Sequence, residues 1–302
     1  MGAITDALNK YNCNINSLDE LYDIFKSVGD YDIPIVRFTL YKGAGLIRQR
    51  INPKREEFHY VTELSYPPSV CLTKFGRANL PYQSMFYACS FPNEENYNTP
   101  LPRIISLLET SQFFKNKNNF GIERSTVSRW ELAENINLIA LPFSNTYQRP
   151  CQDVLDVITN WEDIISNANV NNDGLELILY MAKEIAKDFD TDDGYVKIAN
   201  FVNYLLHINS KTKDADGIIY PSVPARGGGF NVAIKPKIVD KKIKFCGASL
   251  CYLLKQRDKS YVHIIKDSLV NEDGSLTFYI RKQNKDATAM YDKYARGLSF
   301  VN

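Results

Sequence analysis

The sequence predicts a mixed α+β fold, and two observations lead to it. Apolar residues recur at helical spacing through 1–30, 152–168 and 175–189. Short β-rich runs bounded by Gly, Pro and Asn occupy 33–41, 46–51, 85–88, 217–220 and 231–234, and residues 237–302 read as mostly strand.

At 302 residues, 44% hydrophobic and 24% charged, the chain is long enough for one large domain or two modest ones. A net charge of +1 gives no electrostatic case for nucleic acid or a membrane surface as partner. No apolar run approaches the roughly 20 residues a bilayer needs. The opening MGAITDALNK lacks a basic segment followed by a long apolar core, so no signal peptide and a cytoplasmic location are expected. Cys13, Cys71, Cys89, Cys151, Cys246 and Cys251 are scattered without a C-x-x-C pair, which predicts reduced thiols and no metal site.

In chain order, Ser17 and Glu20 have capping-box spacing ahead of an apolar face made by Leu21, Ile24, Phe25 and Val28. The strand candidate LIRQRI alternates, so Arg48 and Arg50 share one face and Ile47, Gln49 and Ile51 the other. Two arginines on one face are commonly a solvated edge; the chemical alternative is an anion site. Residues 52–74, with His59, Glu63 and the stiff Tyr66-Pro67-Pro68, read as a long loop. The stretch FGRANLPYQSMFYA at 75–88 joins a turn holding Gly76, Arg77, Asn79 and Pro81 to a buried strand from Met85, which carries Tyr87. An arginine in such a turn has the paired donors that match phosphate or carboxylate.

After a polar loop, FPNEENYNTP, the run PRIISLLETSQFF predicts a helix with Glu109 at the edge of its apolar face. A strand is expected over 130–142, ending at Pro142. The helix at 175–189 takes Asp173 as N-cap with Glu176 three residues on, and buries Ile178, Met181, Ala182, Ile185 and Phe189. The acidic turn 188–194 fails as a calcium loop: its glycine is one place late and no glutamate stands at the twelfth position. Another helix is expected from Tyr195 to His207. In DADGIIYPSVPARGGGFNVAIKP, one strand ends at Pro221-Ser222, a glycine-rich turn follows, and a second strand returns at Asn231. The chain has no strand–GxGxxG–helix unit, no GxxxxGK[ST] and no GxSxG around Ser222, which removes support for dinucleotide-fold, P-loop and hydrolase-triad readings.

Taken together, IRQR, ELSYPP, GRANLPYQSMFYA, RIISLLE and DGIIYPSV…GFNVAIKP resemble the RES domain family over roughly residues 45–236. The family is named for an arginine, a glutamate and a serine. The resemblance matches these to Arg48 (with Arg50 as the competing position), Glu109 and Ser222, and matches Arg77, Tyr87 and Asn79 to further pocket positions. It implies an ADP-ribosyltransferase-like fold, with two facing sheets around an NAD cleft. It also implies a toxin-like activity that consumes NAD by phosphorolysis or hydrolysis, or ADP-ribosylates a protein, often held in check by a small antitoxin. The organisation expected on this basis is a helical extension over 1–32, a catalytic domain over 33–236 with a helical insertion at about 145–210, and a β-rich extension over 237–302 packed on the core. The added segments suit an inhibitory contact in cis, a homo-oligomer interface or a regulatory partner.

The expected chemistry needs no metal. Cleaving the nicotinamide–ribose bond of NAD develops positive charge on the ribose, which a carboxylate such as Glu109 stabilises. Arg48 and Arg77 suit the pyrophosphate, Ser222 a ribose hydroxyl or the carboxamide, and Tyr87 the nicotinamide ring. Water, inorganic phosphate and a protein side chain all remain open as the acceptor. A degenerate fold that senses nucleotides without turnover is the non-enzymatic alternative.

Overall fold

A computed structural model describes residues 2–13, 15–53, 56–90, 102–116, 118–141, 151–167, 171–189, 192–257, 259–282 and 285–301. The chain is mixed α+β. Its elements run α1 (Ala3–Lys10), α2 (Leu18–Val28), β1 (Val36–Leu40), β2 (Gly45–Ile51), α3 (Val61–Leu64), β3 (Phe86–Ser90), α4 (Pro102–Thr110), α5 (Gln112–Lys115), β4 (Gly121–Leu132) and β5 (Ile136–Ala140). There follow α6 (Gln152–Asn167), α7 (Asn172–Ile185), α8 (Val196–Asn203), β6 (Gly217–Pro221), β7 (Phe230–Ile234), α9 (Pro236–Lys242), β8 (Ile243–Lys255), β9 (Ser260–Val270), β10 (Leu276–Ile280) and α10 (Lys285–Ala295).

The ten described strands form one ladder in the order β1-β5-β6-β7-β3-β2-β4-β8-β9-β10, where two sheets were expected. The ladder is narrowest at the seam between β2 and β3. β2 pairs with β3 only at Leu46–Ser90 and Ile47–Cys89, but pairs with β4 along its whole length, from Gly45–Glu131 to Ile51–Ser125. The two halves of the ladder are therefore joined by a short contact, beyond which β2 and β3 separate. β5 and β6 are parallel; the other ladders are antiparallel. β6 and β7 are buried at every position, as expected for central strands covered on both faces.

The N-terminal helices follow their sequence signals. Ser17 and Glu20 form the reciprocal capping box, and Leu21, Phe25 and Val28 are buried. Phe25 packs edge-on to Phe201, with ring centroids 5.4 Å apart, and lies 5.7 Å from Tyr204. The helices from both ends of residues 1–208 thus share one apolar cluster with the strands. Residues 237–302 extend the ladder directly, because β8 pairs with β4 from Ile243–Leu132 to Lys255–Gly121, and they add α9 and α10 to the expected strands.

Several expected elements are corrected. The single strand at 130–142 is two strands that do not pair with each other: β4 begins at Gly121 and ends at Leu132, Ala133–Asn135 connect it to β5, and β5 lies on the far side of the seam between β1 and β6, while Pro142 lies outside the described residues. The helix at 102–114 breaks at Ser111, whose hydroxyl accepts the Phe114 N–H at 2.9 Å and starts α5. The N-cap of α7 is Asn171, not Asp173, and Glu176 instead accepts the Ile4 N–H at 3.2 Å, tying α7 to α1. The expected helix at 195–207 is α8 followed by a wider π-type segment, Tyr204–Ile208. The loop at 52–74 contains α3 and a 3₁₀ turn, Ser69–Cys71. The polar loop at 91–100 lies outside the described residues.

Candidate functional site

A cavity of about 340 Å³ opens at the seam, at the small end of the range for ligand pockets. β2 contributes Arg48 and Gln49, β3 contributes Tyr87 and Cys89, β6 and β7 contribute Tyr220 and Asn231, and the last turn of α4 contributes Glu109. The 76–79 turn closes one side, with Asp188 and Tyr195 beside it.

Glu109 is half-buried, and one carboxylate oxygen is held from two directions. Its Oε1 accepts the Ser222 hydroxyl at 2.6 Å and the Asn231 amide at 2.6 Å. Ser222 is fully buried at 0% exposure, and its main chain is fixed at both ends of the turn: its N–H donates to Gly229 O, and its carbonyl accepts from Gly227. Gly229 leaves room for α4, since a Cβ there would overlap Ile105. Arg226 and Gly227 in the same turn take positive φ, at 56° and 84°. The glycine-rich turn thus anchors the serine and seats the helix that carries the carboxylate. The Ser222 proton points at Glu109, so the pair orients a carboxylate; it is not a serine nucleophile with an adjacent base.

Asn231 was not singled out by sequence reasoning, although one polar residue inside the apolar run FNVAI is the signal that marks it. Its Oδ1 accepts the Cys89 thiol at 3.1 Å, which fixes the amide with its nitrogen toward Glu109. Burial, and next the charge of Glu109, push the Cys89 thiol well above its ordinary pKa, so it stays protonated and is a poor nucleophile.

The two candidate arginines on β2 separate. Arg48 reaches the cavity; Arg50 does not line it. Arg48 Nη1 donates to the Tyr87 carbonyl at 2.7 Å, across the gap where β2 and β3 part. Its Nε faces the carbonyls of Leu64 and Ser65 at 3.2 and 3.1 Å. Burial and then the neighbouring Arg50 pull its pKa down to about 10, which still leaves it charged at neutral pH. Arg50 instead donates to the Glu63 carbonyl and lies over the Phe58 ring, 5.1 Å from the centroid. Glu63 itself accepts the N–H groups of His59 and Tyr60 at 2.6 and 2.9 Å, which shapes α3.

Arg77, expected to present paired donors to an anion, turns them on the protein. It is 9% exposed and donates to the carbonyls of Ile185, the last residue of α7, and Lys187, just past its end. Its guanidinium lies 5.5 Å from the Tyr195 ring centroid and 5.8 Å from that of Tyr220. Tyr87 and Asn79 likewise build the wall. The Tyr87 hydroxyl donates to Asn79 Oδ1 at 2.7 Å and accepts the Ala78 N–H at 2.9 Å. Burial raises its pKa, keeping the phenol neutral. Gly76 is required at this point, because a Cβ would overlap Asn79 Oδ1.

The structure thus brings Arg48, Arg77, Tyr87, Asn79, Glu109 and Ser222 to one place and leaves Arg50 beside it. Chemically, the site offers an oriented carboxylate, aromatic faces and cationic walls. Among the described residues no group of three or more His, Cys, Asp or Glu side chains is placed to hold a metal ion, and no helix is long and apolar enough to cross a membrane. No protein-family model matches the sequence, and no curated protein matches it.

Proposed function

We propose that the chain is an NAD-consuming enzyme that breaks the nicotinamide–ribose bond and passes the ADP-ribosyl group to phosphate or water. The observation that carries this reading is the hydrogen bonding of Glu109 to Ser222 and Asn231, residues brought from 113 and 122 positions away, at a cavity with cationic and aromatic walls. In the reaction the C–N bond electrons leave with nicotinamide, and the pyridinium becomes neutral. Positive charge appears on the ribose, and an oxygen of phosphate, or of water with release of one proton to solvent, bonds to the anomeric carbon. Glu109, with Oε1 held, directs its second oxygen to that charge or to a ribose hydroxyl. Arg48 adds positive potential for the phosphates, and Tyr87, Tyr195 or Tyr220 offer a face to the nicotinamide ring. The narrow seam is compatible with an ADP-ribosyltransferase-like arrangement, in which two halves of β-structure flank a cleft.

The test is NAD consumption by purified protein with and without inorganic phosphate, with products resolved by mass. ADP-ribose 1″-phosphate formed only with phosphate identifies a phosphorylase, and free ADP-ribose in both conditions a glycohydrolase. Transfer of label to protein shifts the reading to a protein ADP-ribosyltransferase. NAD that binds without turnover, alone and with cell extract supplied, overturns the enzymatic reading in favour of a nucleotide-sensing module.

A further inference from the structure

We propose that the chain carries a second anion site, separate from the Glu109 cavity, that takes the phosphoryl group of a small ligand. A second cavity, of about 470 Å³, opens where the turn before β6 meets the start of α9. It is lined by Lys213, Lys235, Lys237 and His207, with Met85, Leu206 and Pro236 as apolar wall, and it shares no lining residue with the Glu109 cavity.

Three features point to an anion. The first is the charge balance: three lysines and no carboxylate line this cavity, in a chain whose net charge is only +1. The nearest acids in sequence are engaged elsewhere. Asp214 pairs with Arg37 at 2.8 Å, and Asp216 pairs with Lys242 at 3.1 Å and accepts the Asn137 N–H at 2.9 Å.

The second is Lys235, which is only 6% exposed. Its ammonium donates to the Lys213 carbonyl at 3.0 Å, whereas an ammonium has three donors and a buried cation is costly unless paired. Burial first, and then the charge of Lys237, hold its pKa below the ordinary lysine value, outweighing the opposing pull of Asp216 and Asp214. Lys213 and Lys237 are exposed, so one buried and two exposed cations line the cavity.

The third is the wall chemistry. Gln83 Oε1 accepts the Leu80 N–H at 3.0 Å, which turns its amide nitrogen to His207 Nε2 at 3.2 Å. His207 therefore accepts there as a neutral imidazole and leaves its other nitrogen as a donor. A phosphoryl group, compact and multiply charged, suits point-charge ammonium donors better than a planar carboxylate does. Met85, Leu206 and Pro236 offer contact to an organic body attached to it.

The test is calorimetric titration with ADP and, separately, with inorganic phosphate, for wild type, Lys237→Glu, Lys213→Glu and Glu109→Gln. Lys237 and Lys213 are exposed, so the reversals are expected to leave folding, and NAD turnover at saturation, intact. One binding event should weaken at least about tenfold in each lysine reversal, as expected when a charged hydrogen bond is lost, and persist in Glu109→Gln. Tighter binding of ADP than of phosphate identifies a nucleotide-type ligand; equal binding identifies the free inorganic anion. Absence of binding of either probe at millimolar concentration overturns the proposal. So does affinity unchanged in both reversals. Because the readout is heat of binding, the result stands whether or not NAD is consumed.

Discussion

The two poles of the seam cavity are built on opposite principles. At the Glu109 pole, protein donors converge on one carboxylate oxygen and leave the other for a ligand. At the arginine pole, the donors of Arg48 and Arg77 are directed to main-chain carbonyls of the protein itself. The acid is thus oriented, as the proposed chemistry requires, while the arginines hold the walls and contribute charge more than directed hydrogen bonds. A functional residue and an architectural one can line the same cavity; what separates them is where their polar atoms are already engaged.

The largest expected effect is at the acid. Glu109→Gln should reduce NAD turnover by about 10²–10³-fold with NAD affinity nearly unchanged, because it removes charge from the transition state and keeps the shape. Turnover within a few-fold of wild type would break the comparison at its strong end. Ser222→Ala and Asn231→Ala each remove one donor to Glu109 Oε1 and should each lower turnover about tenfold, measured as kcat in a product assay. A double variant losing much less than the product of the two would show that they orient the carboxylate as a unit.

Arg77→Met should act the other way. It leaves the carbonyls of Ile185 and Lys187 without their donor and should cost about 2 kcal/mol in denaturant unfolding, with a smaller change in turnover. A 10²-fold loss of turnover without loss of stability would move Arg77 to the chemical pole. The smallest effect is expected for Arg50→Met, which lies beside the cavity on Phe58: a loss of about 1 kcal/mol or less, and no change in NAD turnover.

Much of the fold was legible because local signals and burial agree. The Ser17–Glu20 box forms as spaced, and the apolar faces of α2 and α7 are the buried ones, except that Phe189, expected in the stripe of α7, lies past its end at Ile185 and is half-buried. The break at Ala133–Asn135, where the chain leaves one half of the ladder for the other, was hidden because the connection between the two apolar runs carries no Gly or Pro. Asn171 displaced Asp173 as cap because Glu176, the second half of the expected box, is engaged by the N-terminus of α1.

At the site, Glu109 was readable as the edge of an amphipathic helix, and Ser222 as the end of a strand. The choice between Arg48 and Arg50 was not, since alternation puts both on one face and only tertiary partners part them. Nor was the role of Arg77, whose acceptors lie 108 and 110 residues away. Asn231 was missed because its significance rests on two neighbours, Cys89 and Glu109, that lie on other elements.

The short pairing at Leu46–Ser90 and Ile47–Cys89 has a thermodynamic corollary. Under the proposed function, a ligand lodged across that gap would add contacts where the backbone ladder has few, and would help fasten the two halves of the sheet. Occupancy and cohesion would then be one linked quantity, and the midpoint of thermal unfolding a gauge of ligand concentration. A chain that depletes its own ligand would in that case loosen itself as it works.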